Sequence, residues 1–578
     1  MSDQEFNLEK QQLVDKIKFD PIRGEPRLNW KGKRPFESTQ FYPAEEREVY
    51  GTETNEWFNK IFWGDNLQVM SHMLKDYRGK IDLIYIDPPY DSKADYKKKI
   101  ELRGKKADSD RTSFEEKQYT DIWTNDEYLQ FMYERLILLR ELLSDNGSIF
   151  VHCDWHKVHH LRCIIDEVFG QFNFVNEIIW TYTSGGKGSR MYARKHDNIL
   201  FYSKNINSYY FDIDSVRIPY SEKTLANYKE GLKGSYGTDE NLNPLGKVPE
   251  DFWEIAPASK SMTEVVGYPT QKPLKLLERI ILGSCKPDGI VFDCFMGSGT
   301  AQVAAMKLGR RFIGADINLG SVQTTTKRLL NIAKSLDKSD NTLYTGFKVY
   351  NVNNYDVFRN PIQAKEKLIE ALEIQKLDSN IIWDGEKDGR MVKIMPVNRI
   401  ATESDLSEII NNIDYKLWEK RKDQSTNTAV EKITLVSMGH EPSLSGKLEI
   451  EFEKIGYKVE VEVVDILRDK SEIKFKRDSE AKVSIVENEL VIDNFYPMNL
   501  LQKLSLQDDK IEDWRDLVET IMIDWNYDGV VMQPSVTDIP SKTELVKGSY
   551  QIPSDAGRIK IKITDLISES LEIEVDNV

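Results

Sequence analysis

The stretch GIVFDCFMGSGTAQVAAMKLGRRFIGADI, residues 289–317, decides the fold. After Gly289 comes a short apolar run, IVFDCF (290–295). The chain turns at Gly297-Ser298-Gly299 and continues as TAQVAAMKL (300–308). It stops at Gly309 and closes with a second apolar run, RRFIGADI (310–317). Short apolar runs bounded by glycine read as buried strands, and the segment between them reads as a helix. A strand–helix–strand unit of this kind builds a parallel sheet. Glycines at the turn let backbone approach a ligand closely, and the helix start offers N–H groups that no helical carbonyl takes. Asp316 lies 23 residues after Asp293, at a strand end where a carboxylate can hold both hydroxyls of a ribose.

Two departures narrow the ligand. No Gly-Lys-Ser/Thr follows the glycines, so this is not a triphosphate-binding loop. Gln302 stands where a dinucleotide motif has its third glycine. The pattern suits a nucleoside without pyrophosphate, such as S-adenosylmethionine. Its bland reading is a tight turn between strand and helix. Upstream, LKLLERIILGS (274–284) has the periodicity of an amphipathic helix.

A second unit lies nearer the N-terminus. KIDLIYID (80–87) is an apolar run that ends abruptly at Pro88-Pro89-Tyr90. Thr124 and Glu127 have capping-box spacing before a helix through Leu142, with Phe131, Arg135, Leu138 and Leu139 at helical spacing. Asp145-Asn146-Gly147 is expected to end that helix, and SIFVHCD (148–154) to form the next strand. At the Asp87 strand end the prolines remove backbone donors. The Asp87 carboxylate and the Pro88 carbonyl are left as acceptors, and Tyr90 offers a ring face. Two acceptors suit an NH₂ group, and a ring suits a base. The alternative is a proline-rich turn after a strand.

The 578 residues suggest about three domains. With 40% hydrophobic and 30% charged residues, the chain is neither disordered nor membrane-embedded. No apolar run reaches the ~18 residues of a spanning helix. MSDQEFNLEKQQ lacks a secretory h-region, and four cysteines (Cys153, Cys163, Cys285, Cys294) form no disulfide scaffold, so a cytoplasmic location is expected. The net charge of −16 is uneven: residues 1–350 carry 49 Lys+Arg against 50 Asp+Glu, and residues 351–578 carry 30 against 45. Residues 183–204 hold five bases and one acid with interleaved tyrosines, which suits a nucleic-acid groove as well as a solvated loop. Lys187, Arg190, Arg194 and Lys195 are the DNA-binding candidates there.

His152, His156, His159 and His160, with Cys153 and Cys163, match no metal-ligand spacing cleanly, so no metal is expected. Trp63, Trp123 and Trp180 are expected in the core. Residues 334–343 read as a linker. Beyond it, helical periodicity over 362–376 is followed by alternating runs at 457–464, 472–476, 558–563 and 571–575, which predict antiparallel strands. The tail is expected to dock a partner, mediate dimerisation or stand as a solvated appendage.

DPPY (87–90) followed by FMGSGT (295–300) resembles the β-class of DNA amino-methyltransferases, which modify adenine N6 or cytosine N4. IFWGDNLQVMSHML (61–74), KIDLIYIDPPY (80–90) and VHCDWHKVHH (151–160) resemble the modification subunit of type III restriction–modification systems. The resemblance spans about residues 28–350 and implies a Rossmann-like α/β methyltransferase fold that uses S-adenosylmethionine.

It implies an N-terminal arm (1–55), a catalytic half (56–182), an inserted target-recognition region (183–250), a cofactor half (251–333) and, after the linker, an acidic α+β C-terminal part (344–578). Asp87, Pro88, Pro89 and Tyr90 would hold a flipped base. Phe295, Gly297 and Gly299 would line the methionine end of the cofactor, with Asp293, Ser298 and Thr300 in the same set. Asp316 would bind the ribose, Asp65 with Asn66 would lie by the adenine, and Thr270, Lys272 and Pro273 would lie on the cofactor side. Asp87 favours adenine over cytosine. Double-stranded DNA is the implied substrate, with a helicase–nuclease subunit and a second copy of the chain as implied partners. A non-catalytic DNA-binding specificity subunit is the reading from another class.

Overall fold

The computed structural model describes all residues except 1–16, 20–26, 31–32, 40, 90–94, 102–112, 121–124, 183–189, 191, 230–241, 259–263, 267, 269, 337–342, 353–364, 366–367, 370–371, 378–381, 397–400, 403–404, 407–408, 411–412, 414, 425–428, 441–442, 467–478, 506–512, 542–543 and 577–578. The expectations for Tyr90, Trp123, Thr124, Lys187 and the 472–476 run fall outside the described residues, as do part of 362–376 and most of the 334–343 linker.

A ten-stranded sheet organises the first 352 residues. Its elements in chain order are β1 (Ala44–Tyr50), β2 (Asn59–Trp63), α1 (Asn66–Tyr77), β3 (Ile81–Ile86), α2 (Asn125–Leu142), β4 (Leu143–Cys153), α3 (Val158–Phe169), β5 (Phe174–Thr181) and β6 (His196–Ser203). They continue with β7 (Phe252–Glu254), α4 (Leu274–Ser284), β8 (Ile290–Asp293), α5 (Thr300–Lys307), β9 (Arg311–Asp316), α6 (Leu319–Ser335) and β10 (Phe347–Val352). The spatial order is β7-β5-β6-β4-β3-β8-β9-β2-β10-β1. The six strands from β4 to β10 are mutually parallel. β6 and β1 are antiparallel to their neighbours in this frame.

Helices α1, α2 and α3 bury one apolar stripe against one face of the sheet, through Val69, Leu136 and Ile164. Helices α4, α5 and α6 cover the other face, through Leu277, Ala304 and Val322. Both faces of β3 and β8 are therefore covered, which is why their sequences read as continuous apolar runs. The chain leaves β3 over one face and β8 over the other. Adjacent strands whose connections part in this way open a crevice at their carboxyl ends.

The observed sheet crosses the expected boundaries. β1 lies in the expected N-terminal arm, β6 in the expected target-recognition region, and β10 in the expected C-terminal part. β4 starts at Leu143, directly after α2, so Asp145-Asn146-Gly147 lies within the strand. Leu143 pairs with Ile81 and Ser148 with Leu83, and the residues between them bulge.

The remainder forms smaller sheets. β11 (Arg390–Ile394), β12 (Glu431–Ser437) and β13 (Val459–Asp465) are parallel, with a helix (Leu444–Lys454) between β12 and β13. The alternating run at 457–464 is thus a parallel strand, against expectation. Val459, Val461 and Val463 pack on the core from one face while Glu460 and Glu462 are exposed on the other, so the alternation survives. β14 (Val518–Asp524), β15 (Arg558–Asp565) and β16 (Ser570–Asp576) are antiparallel, as the runs at 558–563 and 571–575 predict.

This last sheet docks on the catalytic body. Val49 donates to the Met532 carbonyl at 3.0 Å and Met532 to the Arg47 carbonyl at 3.1 Å, so edge strand β1 is covered. Glu48 pairs with Lys562, and the Tyr50 hydroxyl reaches Glu48 at 2.7 Å and Met522 Sδ at 3.1 Å. Among the described residues, no helix is long and apolar enough to cross a membrane.

Candidate active site

Strands β3 and β8 lie side by side, with Leu83 opposite Val291 and Ile84 opposite Phe292. Their ends bring Asp87 and Asp293 to one crevice, and β9 adds Asp316 beside them. The two expected motifs, more than 200 residues apart in sequence, meet here.

At the β3 end, Pro88 is buried and the Asp87 carboxylate is 18% exposed. Its Oδ2 pairs with the ammonium of Lys272, a lysine only 9% exposed. Lys272 comes from the loop before α4. That loop braces itself: Gln271 Nε2 donates to the Glu264 carbonyl at 2.8 Å, and Glu264 Oε2 accepts the Leu274 N–H at 3.1 Å. Thr270 takes a left-handed conformation at φ 62°. The loop thus carries Lys272 to the Asp87 tip.

At the β8 end, glycine is required. Gly299 has φ 73°, and a Cβ there would stand 2.4 Å from Thr325 Cγ2. Gly297, at φ 52°, faces the Tyr268 ring. The N–H of Gly297 donates to Asp316 Oδ2 at 2.8 Å, and the N–H of Asn318 to Oδ1 at 2.8 Å. Burial pushes the Asp316 carboxyl up to about 6, against the pull of these N–H groups. Asp293 accepts the Phe295 N–H at 2.9 Å. Burial pushes it well above the usual carboxylate range; the Phe295 N–H and Lys272 oppose that rise, while Asp87 and Asp316 add to it. Behind the turn, Arg328 donates to the Ser298 carbonyl at 2.6 Å and to Thr300 Oγ1 at 3.1 Å.

Asp65 caps α1 by accepting the Leu67 N–H at 2.9 Å. Arg135 of α2 reaches Asn66 Oδ1 at 2.7 Å and Asp65 Oδ2 at 3.4 Å, and Asn66 donates to the Cys294 carbonyl at 3.3 Å. The Arg135 guanidinium stacks 3.5 Å from the Phe131 ring centroid, and Phe131 meets Phe295 at 6.1 Å. Asp65 and Asn66 are thereby tied to the β8 turn.

A polar chain, buried at Tyr85 and His152 and half-buried at Asp197 and Tyr182, starts from the residue two before Asp87. The Tyr85 hydroxyl meets His152 Nδ1 at 2.8 Å, His152 Nε2 meets Asp197 Oδ2 at 3.3 Å, and Tyr182 donates to Asp197 Oδ1 at 3.2 Å. Burial raises the Asp197 carboxyl, but His152, Lys272 and Tyr182 outweigh it and hold it below its ordinary value. Trp180 is core and Trp63 half-buried.

Sequence reading missed Arg135, Tyr268, Arg328 and Asp197 as site residues. Arg135 alone carried a signal, a cation on the apolar stripe of α2. Of the DNA-binding candidates, Arg190 and Arg194 are exposed and Lys195 is half-buried. The histidines diverge: His152 is fully buried, while His156 pairs with Asp154 at 2.5 Å. Among the described residues, no group of three or more His, Cys, Asp or Glu is arranged to hold a metal ion.

A sheet with six parallel central strands, helices on both faces and a glycine turn beside an acid-tipped strand give the Rossmann-like fold of a methyltransferase. The family model described as DNA methylase matches residues 81–327. The type II methyltransferase M1.MboII of Moraxella bovis is 31% identical over 249 residues, 41% of this chain and 85% of that protein. The DNA adenine methyltransferase YhdJ of Escherichia coli (strain K12) is 27% identical over 253 residues, 43% of this chain and 76% of that one. The StyLTI Mod subunit, from a type III restriction-modification enzyme of Salmonella typhimurium, is 26% identical over 334 residues, 43% of this chain and 50% of the subunit. The chain belongs to the DNA methylase family.

Proposed function

We propose that this chain transfers a methyl group from S-adenosylmethionine to the N6 amine of an adenine flipped out of duplex DNA. The observation that carries the reading is the adjacency of the Asp87 and Gly297 strand tips across β3 and β8. The residues fit the cofactor: Asp316 offers two carboxylate oxygens for vicinal hydroxyls, and the turn has no side chain at Gly297 or Gly299. Phe295–Thr300 and Asp293 would hold its methionine end, Asp316 its ribose, and Asp65 with Asn66 its adenine. Bound there, the cofactor supplies an electrophilic methyl on a sulfonium.

The amine N–H groups donate to the Asp87 carboxylate and the Pro88 carbonyl, and Tyr90 stacks on the base. An aromatic amine is a poor nucleophile because its lone pair is delocalised into the ring. Accepting both N–H bonds favours a more tetrahedral nitrogen and frees the lone pair. As the N–C bond forms and the methyl–sulfur bond breaks, its electron pair staying on sulfur, the two acceptors stabilise the positive charge that develops on nitrogen, and the surplus proton leaves through Asp87. Lys272 faces Asp87 and balances its charge beside Asp293 and Asp316, so we assign it to the amine tip. Pro89 shapes that tip, and Thr270 and Pro273 shape the loop that delivers Lys272.

Asp87 and the adenine-methylating relative favour adenine over cytosine N4. Arg190, Arg194, Lys187 and Lys195 contact the DNA. The likeness to a Mod subunit supports work within a restriction–modification system. A cytoplasmic location, a helicase–nuclease partner and a homodimer are parts of the same proposal. A monomer in sedimentation, free and on DNA, would remove the dimer. The decisive assay is tritium transfer from labelled S-adenosylmethionine to oligonucleotides with and without adenine. Transfer that requires adenine and is lost in Asp87→Ala is expected. Transfer to cytosine alone overturns the base assignment, and transfer that survives Asp87→Ala overturns the amine site.

A further inference from the structure

The rim beside the amine tip carries a stacked column that the chemistry above leaves unused. Trp155 follows the end of β4 and is 37% exposed. The Arg194 guanidinium lies 3.4 Å from the Trp155 ring centroid. The His156 ring lies 3.6 Å from it, tilted by 33°. His156 is fixed in turn by Asp154, which accepts its backbone N–H at 2.9 Å and meets Nδ1 at 2.5 Å. An indole normally buries its face in a core. Here it is held at the surface by a clamped imidazole and by a cation, Arg194, from the segment that also carries exposed Arg190 and Tyr192.

Its position follows from strand register. Ile86 pairs with Val151, so Asp87 stands level with His152, and Trp155 comes three residues later, just past the end of the adjacent strand. Three residues span at most about 11 Å and neighbouring strands lie about 4.8 Å apart, so the two Cα atoms are within roughly 12 Å. A base cannot reach Asp87 without leaving its stack, and the bases left behind then lose a stacking partner. With the indole faces taken by Arg194 and His156, the outer faces of the guanidinium and the imidazole are what the column offers to a base, and Arg194 also brings a cation for phosphate.

We propose that the Arg194–Trp155–His156 column is a DNA-stacking site, taking the bases left behind at the gap while the target lies in the crevice. The inference rests on the proposed base-flipping reaction. It makes Trp155 a positioning residue that lowers the cost of extrusion without touching the reacting atoms.

The test compares two duplexes that carry the site mapped as methylated in host DNA. One is fully paired, and the other has an abasic position opposite the target, where extrusion costs little. In the full-length Trp155→Ala variant, kcat/KM on the paired duplex is expected to fall about 10- to 100-fold. On the abasic duplex it stays near wild type, cofactor affinity is unchanged, and Trp155→Phe restores most of the paired-duplex rate. An equal loss on both duplexes, or no loss on either, overturns the proposal. Wild-type turnover reads the reaction and the ratio between duplexes reads the column, so the two readings fail separately.

Discussion

Two strand tips at the crevice, those of β9 and β3, handle charge in opposite ways. At the β9 tip, the Asp316 carboxylate is met by backbone N–H groups of Gly297 and Asn318, which cannot swing away. At the β3 tip, the Asp87 carboxylate is met by Lys272, a long side chain on a separate loop. Prolines 88 and 89 remove the backbone donors that would otherwise compete. A fixed cradle suits a ligand bound the same way in every cycle. An acceptor pair faced by one adjustable cation suits a group that arrives, changes and leaves.

If that contrast holds, the tips separate kinetically. Asp87→Ala is expected to lower kcat by about 10²–10³-fold, the usual cost of removing a group that stabilises developing charge, with the cofactor dissociation constant unchanged. Single-turnover kinetics and calorimetry on one preparation check both parts. Lys272→Met sharpens the contrast, because sequence reading put Lys272 on the cofactor side while its ammonium meets Asp87. The expectation is a fall in kcat of roughly 10- to 100-fold with little change in cofactor affinity. Lys272→Arg recovers only part, since a planar fork does not reproduce a point charge. A loss confined to cofactor affinity would return Lys272 to the other tip.

The tips were legible in sequence because each is a local event: an apolar run, then an acid, then glycine or proline. Their partners were not. Lys272 lies 185 residues from Asp87, and Arg135 lies 70 from Asp65, so no local pattern links them. The doubly covered strands announced themselves, and α4 matched its expected span of 274–284. β1 (AEEREVY) did not, because it pairs at the sheet edge and its polar residues face other parts of the chain. The alternation of β13 suggested an antiparallel strand because alternation reports one-sided burial, not strand direction.

The pH response should also differ between tips. The Asp316 carboxyl is pushed up to about 6, so it is a carboxylate above that pH and protonates as pH falls through it. A protonated acid loses acceptor capacity for ribose hydroxyls. Cofactor affinity in the free enzyme should therefore be level above about pH 7 and weaken toward pH 5, by about tenfold for each pH unit below the pKa. In Asp316→Asn the affinity should be lower throughout and flat over the same range. Calorimetry from pH 5 to 8 reads both curves. A wild-type profile that stays flat would mean that Asp316 does not contact the cofactor in its ionised form.

The smallest effect is expected where the last C-terminal sheet meets α6, away from both tips. Lys327 Nζ pairs with Glu519 Oε1 at 3.2 Å, with the two side chains 24% and 20% exposed. Partly exposed pairs contribute about 0–1 kcal/mol. The docking rests instead on the backbone bonds between β1 and Met532 and on the buried Glu48–Lys562 pair. Lys327→Ala should therefore leave kcat and cofactor affinity unchanged and lower Tm by less than about 4 °C. Going from 0.1 M to 1 M salt, which shortens the Debye length from about 10 Å to 3 Å, should do no more. A larger Tm loss, or a fall in kcat, would mean that the acidic sheet is held by charge and that the crevice depends on its docking.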